Sequence, residues 1–477
     1  MLKKIRMILN IALKELKELL REGRFRVMAF VMIALLIVAA VVSNNYYKWV
    51  NKQHTSAKEN ARNVWVSQDN KNPHSAAHYG TYAFKPKYPL SLIDQGVDKY
   101  AGISIYLEAH KRNDAQYMAA QDQTAISRFG DLTPDFILLF IIPLFIMLIG
   151  FNAFTSEREN GTLRLLKSQG VSSITLAGGK WLGIFIAVLM VVIPVLILAI
   201  LLLSNVQDFG EFKIGALALL FLFYFIYYAV FTNITLAVSA WAKKSNIALV
   251  TLLTIWMVAC LGMPKAANRI AESVSPYPTQ SQFMAAILED ERKGLDGHDP
   301  FSKQAKQLEQ ETLKKHGVDS VQQLPFNWDG YLMQKSEEHT AEIYFKHHEE
   351  LKATHESQTN VYRTASVLSP YLPTRFLSMA LCRTDYTSHW HFNNAAEKYR
   401  IMMMDKLNMH FAENSKYGDW DYQADKSLWS NIPDFSYEPI SYSQVLNANL
   451  NNIGTLIGWL LASSLLLIVS VRKMNIL

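Results

Sequence analysis

The strongly charged helical segment lying directly between two long apolar runs is Phe154–Ser173, FTSERENGTLRLLKSQGVSS. Ser156 followed by Glu159 reads as an S-x-x-E capping box. Leu163 and Leu166 then make a short apolar stripe, with Arg164 and Lys167 beside it. Gly170 is a natural left-handed stop. The spacing predicts one helix over 156–170, with Glu157, Arg158 and Glu159 crowding its N-terminus, where the helix dipole favours acids. A helix this short is marginal alone in water, so its stripe and charges ask for something to dock into. The plainer alternative is a basic cytoplasmic loop that only sets membrane orientation.

Other chemistry is scarce. No G-x-x-x-x-G-K-[ST] phosphate loop occurs, and Gly178-Gly179-Lys180 lacks its spacing, so any ATPase has to be a separate polypeptide. No G-x-S-x-G elbow or H-E-x-x-H motif supports hydrolase chemistry. The two cysteines, Cys260 in an apolar run and Cys382 in a polar one, give no disulfide framework. Tyr228, Thr232, Thr235 and Ser239 recur at i, i+4, i+7 and i+11 with Asn233 nearby, and read either as a cavity-lining wall or as a helix–helix contact through small polar groups.

All thirteen histidines fall in two polar regions. His339, His347, His348 and His355 share one predicted helix, where His348 and His355 lie too far apart along the axis to chelate one ion alone. His389 and His391 flank Trp390. His74 and His78 sit in a turn-rich stretch, Asn72–Gly80, so no helix is expected to present two histidines one turn apart. Metal or haem handling stays open as an alternative. Solvated or internally bonded histidines are the simpler reading, and no metal site is assigned.

The elements that position these residues follow from composition. Half of the 477 residues are hydrophobic and the net charge is +6, but apolar runs alternate with long polar stretches, which suits a membrane protein with water-exposed domains. Basic residues flank the apolar runs without forming one patch, so nucleic acid is not indicated. Residues 1–26 place Ile5, Ile8, Leu9, Ala12, Leu13, Leu16, Leu19 and Leu20 at helical spacing, with Lys14, Glu15, Lys17, Glu18 and Arg21 opposite. That predicts an amphipathic helix lying in the membrane interface.

Six spans are expected: Val27–Ser43, Phe136–Phe154 (interrupted by Pro143), Trp181–Leu203 (with Pro194 inside), Ile214–Trp241, Ile247–Met263 and Ile453–Val471. Their interiors lack ionisable residues, which argues against an ion-coupled carrier. Lys and Arg cluster before the first span, between the second and third, after the fourth and after the sixth. With six spans these sites fall on one side, so both termini are cytoplasmic and residues 44–135 and 264–452 lie together outside. The chain thus divides into a helix at 1–26, a span at 27–43, an insertion at 44–135, spans two to five over 136–263, a second insertion at 264–452, a span at 453–471 and a tail at 472–477. The second insertion reads as mainly helical, with long segments at Ser302–His316, Asp329–Ser357 and Asn393–Asn408.

The string ERENGTLRLLKSQGVS resembles the E-R-E-x-G-T-L-R-x-L-L-S signature of permeases in ABC-2-type transporters. It departs at Gly170, where many relatives carry proline; both residues end a helix. NPHSAAHYGTYAFKP, LEAHKRN and AEKYRIMMMDKLN resemble a branch with large extracytoplasmic insertions, related to multicopper-enzyme-maturation permeases. The resemblance implies an all-α integral membrane protein with a six-helix ABC-2-type (type V exporter-like) transmembrane domain, an N-terminal elbow helix and a two-part, mainly helical exterior domain.

It also makes 156–170 a coupling helix seated in a cleft of the ATPase, with Glu157, Arg158, Glu159, Gly161, Thr162, Leu163 and Arg164 as the contact. The partners it implies are two copies of a cytoplasmic ABC ATPase holding ATP and Mg, and a second permease half. Membrane lipid surrounds the spans, and a periplasmic protein is a further candidate. No cofactor is expected in this chain, no enzymatic activity of its own is expected, and the inner membrane of a bacterium is the expected location. Substrate export competes with ATP-driven mechanotransmission to a periplasmic partner and with a membrane-anchored metalloprotein assembly factor.

Overall fold

The computed structural model describes residues 2–116, 132–204 and 213–474. Residues 117–131 of the first insertion and 475–477 of the tail lie outside the described residues. The chain is an all-α membrane protein, and among the described residues six helices are long and apolar enough to cross a bilayer. They are Gly23–Val66, Pro134–Glu159, Ser173–Leu203, Ile214–Trp241, Ser245–Val274 and Leu450–Arg472. Spans two and four form the centre, with 61% of their apolar windows buried inside the chain, against 28, 22 and 17% for spans one, five and six. The outer three therefore keep apolar faces for lipid or another chain.

Two spans run further than the apolar runs alone imply. Span one is part of a 44-residue helix, roughly 66 Å long at 1.5 Å per residue. Its upper half carries polar residues on one side and still buries Tyr47, Val50 and Trp65. Span five does not end at Pro264. A π-helical stretch, Met257–Gly262, precedes the proline and the helix continues to Val274. The widened turn makes room for a ring that lacks an N–H and would clash with an ordinary preceding turn.

Span two uses the same device, with π-helical Ile137–Ile141 directly before Pro143. The carbonyls there are taken up by side chains: Tyr228 Oη donates to Leu138 O at 2.9 Å, Tyr227 Oη to Leu139 O at 2.8 Å and Trp256 Nε1 to Phe140 O at 3.0 Å. Backbone groups inside a membrane need such partners.

The N-terminal helix α1, Leu2–Arg21, packs along span three. A G-x-x-x-G pair, Gly179 and Gly183, lets the two backbones approach. A Cβ at Gly179 would stand 2.5 Å from Ile11 Cβ, and one at Gly183 would stand 2.8 Å from Glu15 Cβ. Ala12, Glu15 and Leu19 are buried in that contact while Ile5, Leu9 and Leu13 stay exposed. This corrects the sequence reading, which put Glu15 on the solvent side.

The two insertions form one polar domain. From the first come α2 (Pro73–Tyr79) and an antiparallel sheet in the order β1 (Thr81–Phe84), β2 (Ser104–Glu108), β3 (Lys111–Arg112). This small sheet is an addition to the helical expectation. The second supplies α3 (Gln280–Lys293), α4 (Lys303–His316), α5 (Trp328–Ala365), α6 (Tyr371–Cys382) and α7 (Tyr386–Asn414). Their shared core joins Trp65, Ala76, Ile105 and Leu107 to Phe392, Met403, Leu407 and Trp429. Leu377, Leu381 and Cys382 of α6 belong instead to the core of the membrane bundle, so this helix is the floor of the domain.

Candidate functional site

The segment between spans two and three is two short helices, Thr155–Glu159 and Thr162–Ser168. Gly161 breaks it with φ +75°, and Gly170 ends it with φ +80°, backbone values that glycine adopts without a steric penalty. The expected single helix over 156–170 is therefore corrected. The capping box is absent too. Ser156 lies inside the first helix, whose N-cap, Phe154, has no side-chain cap. Glu159 reaches instead across the structure to the N-terminus of span five, accepting from Ser245 N and Ser245 Oγ, both at 2.9 Å. It caps another helix rather than its own.

Glu157 and Arg158 also turn inward. Lys180, buried on span three, reaches Glu15 Oε2 of α1 at 2.8 Å and Glu157 Oε1 at 3.0 Å. Lys14 lies 3.4 Å from the same Glu157 oxygen. Arg158 donates to Ala240 O at 2.8 Å and to Ala242 O at 2.5 Å, closing the C-terminal end of span four. The three charged residues thus clasp the segment to α1, span three, and the turn between spans four and five.

What faces outward is the tip. Gly161, Thr162 and Arg164 are exposed, and Leu165 is 58% exposed although apolar. Leu163 is fully buried beneath them. The seven residues singled out in the sequence therefore divide into an inward set, Glu157, Arg158 and Leu163, an outward set, Gly161, Thr162 and Arg164, and Glu159, which is exposed but bonded to Ser245. Sequence reasoning missed Lys180, seen there only as part of a failed phosphate loop, and Glu15. The G-x-x-x-G spacing around Lys180 was the available signal.

Opposite the clasp, a second charged cluster joins the bundle to the polar domain. Arg375 of α6 reaches Asp94 Oδ2 at 2.8 Å and Asp135 Oδ2, at the start of span two, at 2.6 Å. Ser378 donates to Asp94, and Tyr224 of span four hydrogen-bonds Ser378 at 2.7 Å.

The polar face of span four is packed against its neighbours. Tyr228, Thr232, Thr235 and Ser239 are each fully buried. Tyr228 holds the Leu138 carbonyl, Thr232 and Thr235 donate to the carbonyls of Tyr228 and Phe231, and Ser239 Oγ accepts from Phe154 N. A Cβ on Gly150 would meet Thr235 Cγ2 at 2.8 Å. These contacts put the four residues in helix packing, the helix-contact alternative of the two sequence readings.

The histidines hold the largest departure. Asn72 caps α2, with Pro73 in its first turn, so His74 and His78 do stand one turn apart on a helix. With His110 and His298 they bring four ring nitrogens within 4.8 Å of one another. Burial, then the neighbouring imidazoles, lowers the His74 pKa to about 3. Burial works to raise the pKa of nearby Glu337, but hydrogen bonds from His110 and the charge of Arg400 hold it at about 2. The helical group behaves as expected of internal histidines: His348 Nδ1 donates to Tyr344 O at 2.8 Å, and His355 stacks on Tyr386. Cys260 and Cys382 are buried free thiols.

Comparison with known proteins gives two matches. Residues 37–264 match the family described as ABC-2 family transporter protein, and residues 280–438 match a domain of unknown function, DUF3526. No curated protein matches the sequence.

Proposed function

We propose that this chain, whose residues 37–264 match the ABC-2 transporter family and whose residues 280–438 match an extra domain, is a permease that couples ATP hydrolysis by a separate cytoplasmic ATPase to work across a bacterial inner membrane. Two ATPase copies, each holding ATP and Mg, pair with this chain and a second permease half, either another copy or a related permease. Both termini and the 155–168 segment face the cytoplasm, and the polar domain faces the periplasm.

The observation that carries the reading is the division of the 155–168 segment. Its tip offers Gly161, Thr162, Arg164 and Leu165 to a partner, while Glu157, Arg158 and Glu159 fasten its base to α1 and to spans three, four and five. A displacement of the tip is thereby passed to most of the bundle. The direct test is co-purification of the tagged chain in mild detergent with a Walker-type ATPase, compared with variants of the tip.

A second reading, mechanical transmission to a periplasmic partner, has its own support. Span one continues unbroken into the polar domain, where Trp65 Nε1 donates to Trp429 O at 3.0 Å. Span two ends in Asp135, which shares Arg375 with the polar domain. A bundle built this way moves its exterior domain whenever it moves itself. A transport assay and a pull-down with the polar domain as bait separate the two readings.

A further inference from the structure

We propose that His74, His78, His110 and His298 form a four-imidazole binding site for Zn²⁺ that ties the two insertions of the polar domain together. The first two come from α2, His110 from the turn between β2 and β3, and His298 from the loop between α3 and α4. Three separate segments, from both insertions, thus converge on one point.

The nitrogen positions favour ligation over hydrogen bonding. His74 Nε2 lies 3.1 Å from His78 Nε2 and 3.2 Å from His298 Nε2. A ring nitrogen carries either one proton or one lone pair, so His74 Nε2 serves only one of these neighbours by a hydrogen bond. Around a tetrahedral Zn²⁺ with Zn–N bonds of ~2.05 Å, adjacent nitrogens stand about 3.3 Å apart, close to both observed separations. His110 Nε2 is buried with no hydrogen-bond partner.

The surroundings set the tautomer and the charge. His110 Nδ1 lies 2.8 Å from Glu337 Oε1, and the His110 backbone N–H donates to the same oxygen at 2.6 Å. With its proton on Nδ1, His110 turns the lone pair of Nε2 toward the cluster. Glu337 is held in turn by Arg400 at 3.0 Å, and Arg400 by Glu397 at 2.9 Å. A carboxylate behind a ligating histidine is the usual support of such a site. Glu337 and Asp296, 3.6 Å from His298 Nδ1, also offset the dication where four neutral imidazoles do not. Non-glycine His110 is held at φ +67°, which aims its ring across the hairpin turn. An all-imidazole set, two of whose nitrogen separations match those of a tetrahedral site, suits Zn²⁺ better than the tetragonal preference of Cu²⁺.

The test uses the full chain, purified with a tag free of histidine, stripped by chelator, reloaded with Zn²⁺ alone and desalted. The expected result is about one zinc retained per chain. Retention should persist in His391→Ala, which lies outside the cluster, and affinity should fall at least ~10-fold in His74→Ala and His298→Ala. X-ray absorption of the wild type should show a shell of four nitrogens at about 2.0 Å with imidazole scattering; this needs no variant to fold. Zinc that washes out of the wild type, that is retained equally by both cluster variants, or that shows an oxygen-dominated shell would overturn the proposal.

Discussion

Two charged clusters stand at opposite ends of the membrane bundle, and each has one largely buried cation between two carboxylates, with the exposed Lys14 added at the rim of the first. At one end Lys180 sits between Glu15 and Glu157; at the other Arg375 sits between Asp94 and Asp135. They differ in what they join. The Lys180 clasp gathers α1, the 155–168 segment and span three beneath an exposed tip. The Arg375 lock gathers the polar domain and the bundle. The stretch from Pro134 through Glu159 contributes a carboxylate to each, Asp135 at the start of span two and Glu157 in the short helix that follows it. The comparison makes span two the bar between a receiving end and a delivering end.

Removing either cation should do the most damage, because two carboxylates in a largely buried place then lose their shared counter-ion, Glu157 keeping only the exposed Lys14 at 3.4 Å. Lys180→Met and Arg375→Met are each expected to cost about 3–5 kcal/mol, read as loss of thermal stability in detergent. The comparison predicts different side effects. Lys180→Met should also release the ATPase, whereas Arg375→Met should keep it and loosen the polar domain, read by amide exchange at α6. Equal loss of ATPase from both variants would break the distinction between the two ends.

Acid should act on the polar domain and spare the bundle. Burial, with the Arg112 charge, lowers His348 to about 3, and burial, with the Lys85 charge, lowers His389 to about 4. Below pH 6.5 the unfolded chain takes up protons that the folded chain refuses, so stability falls as pH drops from 6.5 toward 4. Each histidine contributes about 1.4 kcal/mol per pH unit in that window, or ~2 kcal/mol at pH 5. Protection factors of the α5 and α7 amides, referred to the unprotected rate at the same pH, should fall at pH 5 and be partly restored by His348→Gln.

Smaller effects sharpen the picture of the clasp. Arg158→Lys loses a fork that serves two carbonyls at once, and about 1–2 kcal/mol is expected. Glu15→Gln leaves Lys180 matched by Glu157 alone, so a change within about 1 kcal/mol is expected. If Glu15→Gln proved as harmful as Lys180→Met, the one-cation, two-carboxylate account of the clasp would be wrong.

Much of this was legible in the sequence, and the failures share one cause. Apolar runs of about twenty residues reveal spans because the bilayer imposes that length, and the charged 154–173 segment announced itself by composition. What stayed hidden was contact between distant parts. Glu159 looked like the partner of Ser156 three residues away, but its carboxylate meets Ser245. Pro264 looked like a helix end because the π turn that absorbs it leaves no sequence mark. Gly179 looked like part of a failed nucleotide motif, and Gly183 went unread, until α1 was seen lying on them. The histidine cluster needs a loop from the second insertion beside a hairpin from the first. Only Asn72-Pro73, a cap followed by a helix-starting proline, hinted that His74 and His78 share a helix.

The central claim is that the exposed tip of the 155–168 segment receives the ATPase while its charged base only holds the fold. The decisive measurement is co-purification and ATPase activity of the full chain carrying Arg164→Glu and Leu165→Glu. Both sites are on the surface, so stability should stay within about 0.5 kcal/mol of wild type. The account predicts that a Walker-type ATPase accompanies the wild type and is lost from this well-folded variant. An ATPase retained in full by the variant would contradict it.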